Sequence, residues 1–481
     1  MNFIKDSVFL VLGFIIKLVI ALLTDRFIAT NILPDLYGAY KYSITLVTLF
    51  SSFAGLGFQS SIVRTITINI QNSEYINKVI KISFLLILGV SLIFYFIINS
   101  TLFYSFFEVS VPLIQIISIS IIAISINQFI IGIYSGLKNV KNKVLINDVL
   151  QPVLFFGLLY LFEKNTNVLL ISKLYVFSIA ITLLINLIFI GIELNKRFLF
   201  LKFKKKRKKI IIQDYYKYSF PILLTTIFIG LASSTDKIVM AKIINANEIG
   251  LYFSAFTLSN ILSFILTSLL FLFLPVASSF YGKGKYIGGS YVSAYISKWL
   301  MLISFIPFWL LYNYSSDILT WFYSGNYSSA ASTLEILAIA GFINVSVGFT
   351  GQSLLALGDS FSQMIIRMIG VAFTIGLSYF LGIKYGINGI AFSVLISLLL
   401  TNTLQVAIAF SKYKVALIQK VNLYTYLFIF SIIILLLIRN RIFNFDNFII
   451  NFLFDMLIYF TLIMSIRVIN KKDYRTVKLI Q

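Results

Sequence analysis

The sequence predicts an all-α polytopic membrane protein of about 14 transmembrane helices, built as two parallel-repeat six-helix lobes plus two C-terminal helices. Three observations predict it. Apolar runs of about 20 residues, long enough to cross a bilayer, recur along the whole chain. Basic residues fall mostly in alternate loops between those runs. A charged motif at the end of the first run returns at the end of the seventh.

The spans lie near 7–30, 38–65, 79–100, 111–137, 143–162 and 168–193, and then, after a basic loop, near 215–241, 247–276, 291–315, 328–357, 360–382, 386–411, 421–438 and 446–468. The 481 residues are 59% hydrophobic and 12% charged, against roughly 45–50% apolar in a soluble chain. No small-residue cleavage site follows the first run, so it reads as a retained helix and not as a signal peptide.

Orientation follows from charge. With the N-terminus in the cytoplasm, about 29 of the 39 Lys and Arg fall on the cytoplasmic side and about 9 outside, with Lys17 mid-span. A one-helix error in the middle would spoil this alternation. Both termini are therefore expected in the cytoplasm. The longest hydrophilic segment, 196–214 with Lys202 and the basic run 204–209, is cytoplasmic in this scheme. The outer loops 30–36, 99–111 and 163–167 are short.

The net charge of +22 in a soluble chain would suggest a nucleic-acid partner. Here the charges sit where topology signals sit, and no nucleic acid is implied. The chain contains no Cys and no His. That excludes disulfides, Cys/His metal sites and a His proton relay. No phosphate-binding loop or nucleophile elbow is present, so there is no ATPase or hydrolase signal. No cofactor is implied.

The repeated motif is Asp25-Arg26 leading to Tyr37-Gly-Ala-Tyr40, and Asp236-Lys237 leading to Gly250-Leu-Tyr252. Spans 1 and 7 both start inside, so the copies have one orientation and are related by an axis along the membrane normal. The domains expected are an N-terminal lobe 1–195, a linker 196–214, a C-terminal lobe 215–414, and 415–481 with spans 13 and 14 and the tail. Neighbours on a helix point about 100° apart, so neither acid is expected to neutralise the base beside it.

Charge inside a span costs about 2.5–3.5 kcal/mol and needs a reason. Lys17 lies near the midplane, and either lines a polar cavity or makes a structural pair. Arg367 is about seven residues into span 11. Arg26, Arg64 and Lys237 lie nearer span ends, where snorkelling to the interface competes with a place in a cavity. Lys298, next to Trp299, reads as an interface anchor. Asp148, Glu335 and Asp455 are the other acids within spans, expected paired or near an interface.

Arg26, Tyr37-Gly-x-Tyr40, the Gly-Leu-Gly stretch 55–57 ending in Val63-Arg64, Pro221, Asp236, Glu248-Ile-Gly-x-Tyr252 and Pro275 together resemble the Wzx-type polysaccharide flippases, in the superfamily with MATE antiporters and MurJ-type lipid II flippases. The family usually has Gly before the turn acid, where Pro34-Asp35 stands here. The resemblance implies a MATE-like fold working by alternating access around a central cavity. The implied activity is not enzymatic: it moves undecaprenyl-diphosphate-linked oligosaccharide across the bacterial cytoplasmic membrane, for O-antigen or another surface polysaccharide. Lys17, Arg26, Arg64, Lys237 and Arg367 are the candidate cations for the diphosphate. Asp25 and Asp236 are candidates for ion coupling. Asn127, Gln128, Asn344, Asn402 and Gln405 are candidates for a wet sugar chamber. Membrane lipids, a polysaccharide polymerase and a chain-length regulator are the implied partners. A MATE-like cation or drug antiporter and a membrane polysaccharide polymerase are the alternatives. The first should embed acids, and the second a large outer loop.

Overall fold

The computed structural model describes residues 3–69, 72–163, 167–201, 212–282, 284, 286–443, 445 and 447–465. Among them there is no β-strand. Twelve helical segments are long and apolar enough to cross a membrane. One of these, Ser360–Tyr413, has 54 residues and turns at Gly386, so it serves as two passes. Helix α1, Phe3–Asn31, carries the first apolar run. The total is the roughly fourteen spans expected.

Helix α2, Pro34–Ala54, opens on proline, whose missing N–H would be unpaired in a first turn anyway. Leu56 and Gly57 then take positive φ of 51° and 66° and break the span before α3, Phe58–Asn69. A Cβ on Gly57 would lie 2.7 Å from the Leu223 nitrogen, so glycine is what lets the two backbones approach. Helix α4, Ser73–Ile98, is capped by Asn72, which accepts from the Tyr75 amide. The segment expected as a bare outer loop at 99–111 instead holds a short helix, α5, Thr101–Phe107. Its phenylalanines pack on one another and on Phe50, with Phe103 and Phe107 ring centres 4.4 Å apart.

Helices α6, Val111–Ser118, and α7, Ser120–Gly136, form one well-buried span. In the next span, α8, Val140–Lys143, runs into a π-helical turn at Val144–Leu150 and then α9, Gln151–Leu161. Pro152 cannot donate to the α-helical ladder, and the wider turn lies immediately before it. Then come α10, Val168–Leu201, α11, Ile212–Ala241, and α12, Ala246–Gly282. The basic run 204–209 lies outside the described residues.

Helix α13, Tyr286–Asn313, is followed by the short α14, Ser315–Phe322, and a 3-10 turn at Gly325–Ala330. Helix α15, Ala331–Val347, is separated from α16, Thr350–Ala356, by a break at Gly348. Helices α17, Ser360–Tyr413, α18, Lys420–Ile442, and α19, Phe448–Ser465, complete the chain.

Contacts divide the chain into two units, Met1–Phe253 and Ser254–Gln481. In the first, α3 and α7 pack through Ile62, Ile66, Ile130 and Tyr134. A Cβ on Gly132 would lie 2.3 Å from the Gln59 carbonyl oxygen of α3, and Gly136 also packs closely on α3. Close approach through small residues is what helices in lipid need, because apolar burial gives them little mutual attraction. In the second unit, Phe308 of α13 stacks on Phe342 of α15 at 4.3 Å. Phe96, Leu161, Phe380 and Met464 are among the large apolar side chains left on the surface, as on a lipid-facing wall.

The repeated glycines meet at a helix crossing. Gly38 sits within α2 and meets Gly250 of α12. A Cβ on Gly38 would lie 2.5 Å from the Gly250 nitrogen, and one on Gly250 would run into the Pro34 carbonyl. Both copies of the motif thus supply the missing side chain at one helix crossing. Gly250→Val should lower the unfolding temperature sharply, by the equivalent of about 3 kcal/mol or more, since backbone and not a side-chain tip is in the way. Gly89→Val, where the surrounding space is open, is the control and should be near neutral. Thermal unfolding in detergent reads both.

Asp359 caps α17. Its carboxylate accepts from the Ser362 amide at 3.1 Å, the Ser362 hydroxyl at 2.8 Å and Lys412 at 2.7 Å. Burial alone would raise its pKa, but these donors hold it down from 3.8 to about 2. The depressed value means the contribution is complete above about pH 4 and lost as pH falls through about 2. Asp359→Ala should cost about 1 kcal/mol at neutral pH through loss of the cap. The gap from wild type should close between pH 4 and 2 in the same unfolding assay.

Candidate functional site

In the first unit a polar cluster is built around the π-helical turn. The Lys17 ammonium donates to Asp148 at 3.0 Å. The carboxylate is buried, at 9% exposure, whereas the Lys17 side chain is 39% exposed. Gly13, one turn before Lys17, lets α1 press against Val144 of the turn. Beside Asp148, the Asn186 amide donates to both Asn127 and Asn147 at 3.0 Å. The Asn186 oxygen is buried with no hydrogen-bond partner among the described residues. Lys17 is thus ion-paired with Asp148 and part exposed at once.

The repeated acids form two similar hubs. Asp25 accepts from the Tyr37 hydroxyl at 2.8 Å and is paired with Lys41. Asp236 accepts from the Tyr252 hydroxyl at 2.7 Å and from Lys237 at 3.0 Å. Asp236, Lys237 and Asp25 are all at most 4% exposed. The expectation that neighbours on a helix cannot neutralise each other fails at Asp236-Lys237. The flexible lysine stem folds back along the helix, also reaching the Ser233 carbonyl at 3.0 Å. At Asp25 a different lysine does that work, and Arg26 is left exposed. Arg64 is also exposed.

The second unit contains the less neutralised cation. Gly348 holds φ 75° and ψ −142° and ends α15. A Cβ there would collide with Ser297 of α13, so glycine suits both the backbone and the space. Past the break, the Thr350 hydroxyl donates to Gln405 at 2.6 Å. Gly351 leaves room for the Gln363 and Gln405 amides, and Asn402 donates to Asn344 at 3.3 Å. Gln363 and Arg367 lie one turn apart on the same face of α17. The Gln363 oxygen and the Arg367 Nε are both buried without a hydrogen-bond partner among the described residues.

The structure thus brings Asn344 to Asn402 and sets Gln405 near Gln363. Asn127 belongs to the Lys17 unit's polar cluster, and Gln128 lies beside Gly55. Lys298 is not an interface anchor: it is 3% exposed, on a face of α13 that packs inside the unit. Sequence reasoning missed Asn147, Asn186 and Gln363. Each is an amide within an apolar span, a signal weaker than a charge but of the same kind.

The fold and these buried clusters define a multi-pass helical membrane protein. The structure of lipid II flippase MurJ in an inward closed conformation is similar, with a TM-score of 0.68 at 17% identity over 96% of this chain and 100% of that one. An inward-facing multidrug resistance MATE family transporter gives 0.60 at 15% identity over 86% and 95%. A MOP superfamily transporter from Pyrococcus furiosus gives 0.59 at 15% over 83% and 94%. No curated protein sequence matches. Residues 3–281 match the model described as polysaccharide biosynthesis protein, and the chain belongs to that family. Its fold is the one seen in the MurJ and MATE structures.

Lys17→Ala should leave the buried Asp148 carboxylate unpaired and cost about 1–3 kcal/mol, less than a fully buried pair because Lys17 is part exposed. Adding Asp148→Leu should restore folded yield to near wild type. Size-exclusion profiles and unfolding temperatures of the single and double variants check this.

Proposed function

We propose that this protein flips undecaprenyl-diphosphate-linked oligosaccharide across the bacterial cytoplasmic membrane, by alternating access of lobes 1–195 and 215–414, for O-antigen or another surface polysaccharide. The observation that carries the reading is Arg367: a guanidinium in a membrane span, its Nε buried and unpartnered among the described residues, one helical turn from Gln363. A diphosphate is the ligand chemistry that a forked guanidinium suits. The family and the likeness of fold to a lipid II flippase support it.

In this reading Arg367 makes the main contact, and Lys17 a second one that the anion contests with Asp148. Arg26, Arg64 and Lys237 are auxiliary cations along the path. A coupling proton or sodium ion at Asp25 or Asp236 has to compete with Lys41 or Lys237, so coupling there is an exchange of cations. Of the embedded acids, Asp25, Asp148, Asp236 and Asp455 hold a basic partner, and Glu335 accepts from the Ser315 hydroxyl at 2.7 Å. That favours an anionic cargo over the cationic cargo of a drug antiporter. The tail and both termini are cytoplasmic in this scheme, where polymerase and chain-length regulator would receive no large outer domain from this chain.

Arg367→Ala should lower surface glycan about tenfold, the loss of one charged hydrogen bond, at unchanged protein level. Lipid-linked oligosaccharide should accumulate on the inner face. Arg367→Lys should recover part of the display. Normal glycan in the Lys17→Ala, Arg367→Ala double variant would sink the proposal.

A further inference from the structure

Helices α13, α14, α18 and α19 enclose, at one end, a cavity of about 990 Å³ that lies wholly within the second unit. It is at the upper end of the roughly 300–1,000 Å³ range of small-molecule sites. Asn313, Asp317, Asn440 and Asn451 form its polar wall, and Tyr314, Trp321 and Phe445 its aromatic one. No lysine or arginine lines it among the described residues. The polysaccharide-flippase reading has not used it.

The cavity is held in shape from below. Asp455, fully buried, accepts from Trp309 at 2.8 Å, Tyr314 at 2.7 Å and Arg439 at 3.0 Å. Burial and the Asp455 hydrogen bond push the Tyr314 phenol well above its usual range, so it stays a donor. Arg439 also lies 4.7 Å from the Phe454 ring and donates to the Asn440 oxygen at 2.7 Å. That leaves the Asn440 Nδ2 buried with no partner among the described residues. Asn451 pins the rim: it donates to the Phe445 carbonyl at 2.7 Å and accepts from the Phe445 amide at 3.0 Å. Asp317 and Trp321 sit one turn apart on α14, and both are exposed.

Flat aromatic faces beside planar amides and a carboxylate match one chemistry closely. A pyranose ring offers an apolar C–H face and a rim of hydroxyls that both donate and accept. Among the described residues, the exposed Asp317 carboxylate and the lack of a lining cation disfavour phosphate or uronate. We propose that this cavity binds neutral pyranose units of a glycan on the outer side of the membrane. The outer placement rests on the topology and transport reading above, in which the ends of α13 and α18 face outward. The site would then hold sugars of the unit after translocation, apart from the Arg367 cluster that meets the diphosphate.

The test uses the full-length protein in nanodiscs. Saturation-transfer NMR would be measured with methyl glucoside, methyl N-acetylglucosaminide and methyl glucuronide, and with the oligosaccharide released by mild acid from the cell's own surface glycan. Neutral glycosides and the neutral parts of the oligosaccharide should bind, at least tenfold more tightly than the glucuronide. Trp321→Ala and Asp317→Ala should each weaken binding at least tenfold with unchanged unfolding temperature, since both side chains are exposed. Asp317→Asn should keep neutral binding and narrow the discrimination against glucuronide. Arg367→Ala should bind the glycosides as wild type does. Unchanged binding in Trp321→Ala, or glucuronide binding equal to the neutral sugars, would overturn the site even if Arg367→Ala blocks display. Normal display in the Lys17→Ala, Arg367→Ala double variant would instead remove the transport reading and leave the sugar site to stand on the binding data.

Discussion

A carboxylate held away from water has to be met by donors on the protein itself, and this one constraint organises the helix ends. Asp25 joins α1 to α2 through Tyr37 and Lys41. Asp236 joins α11 to α12 through Tyr252. Asp455 joins α19 to α13 and α18 through Trp309 and Arg439, with Tyr314 at the head of α14. Such pairs add little net stability, because desolvation offsets their attraction, yet breaking one costs about 3–5 kcal/mol. They therefore act as register pins. Lipid gives packed helices little hydrophobic drive to choose one arrangement over another, so pins of this kind matter more here than in a soluble bundle.

Against that background Arg367, Gln363 and Asn186 each keep a buried polar atom with no hydrogen-bond partner among the described residues, as Arg439 does beside its pair with Asp455. Gln363 lies against Gly351, just past the Gly348 break, and Asn186 bonds to Asn147 of the π-helical turn. Non-helical backbone at membrane depth is tolerated where it is buried in protein or lines a wet cavity. Interrupted helices with unmet polar groups are also how many transporters build their sites. The two clusters divide the polar chemistry between the units, with one cation neutralised in the first and one less neutralised in the second.

Much of the fold was legible in the sequence. A 20-residue apolar run has few other fates, and the alternation of basic loops checks the count. The short helices α5 and α14 were not legible, since seven or eight residues in a connection carry too weak a pattern. The candidate cations were legible because charge in a span is expensive wherever it occurs. Their partners were not. Lys237 and Arg26 occupy matching places in the repeat, yet one is buried on its own neighbour and the other is exposed. Lys298, beside a tryptophan at an expected interface, proved to be buried. Sequence spacing gives the side of a helix, and only the neighbouring helices decide what that side faces.

By itself the sequence determined the class: many apolar spans, a parallel duplication, no redox or metal chemistry of Cys or His, and an excess of embedded bases. Those are properties of composition and period, which one chain carries without reference to its fold. The tertiary structure decided pairing and emptiness. It closed Lys17 onto Asp148, brought Gly38 onto Gly250, left the Arg367 Nε unpartnered, and opened a sugar-sized cavity beside Asp455. Each joins residues tens to more than a hundred positions apart, and contacts of that range exist only once the helices are packed.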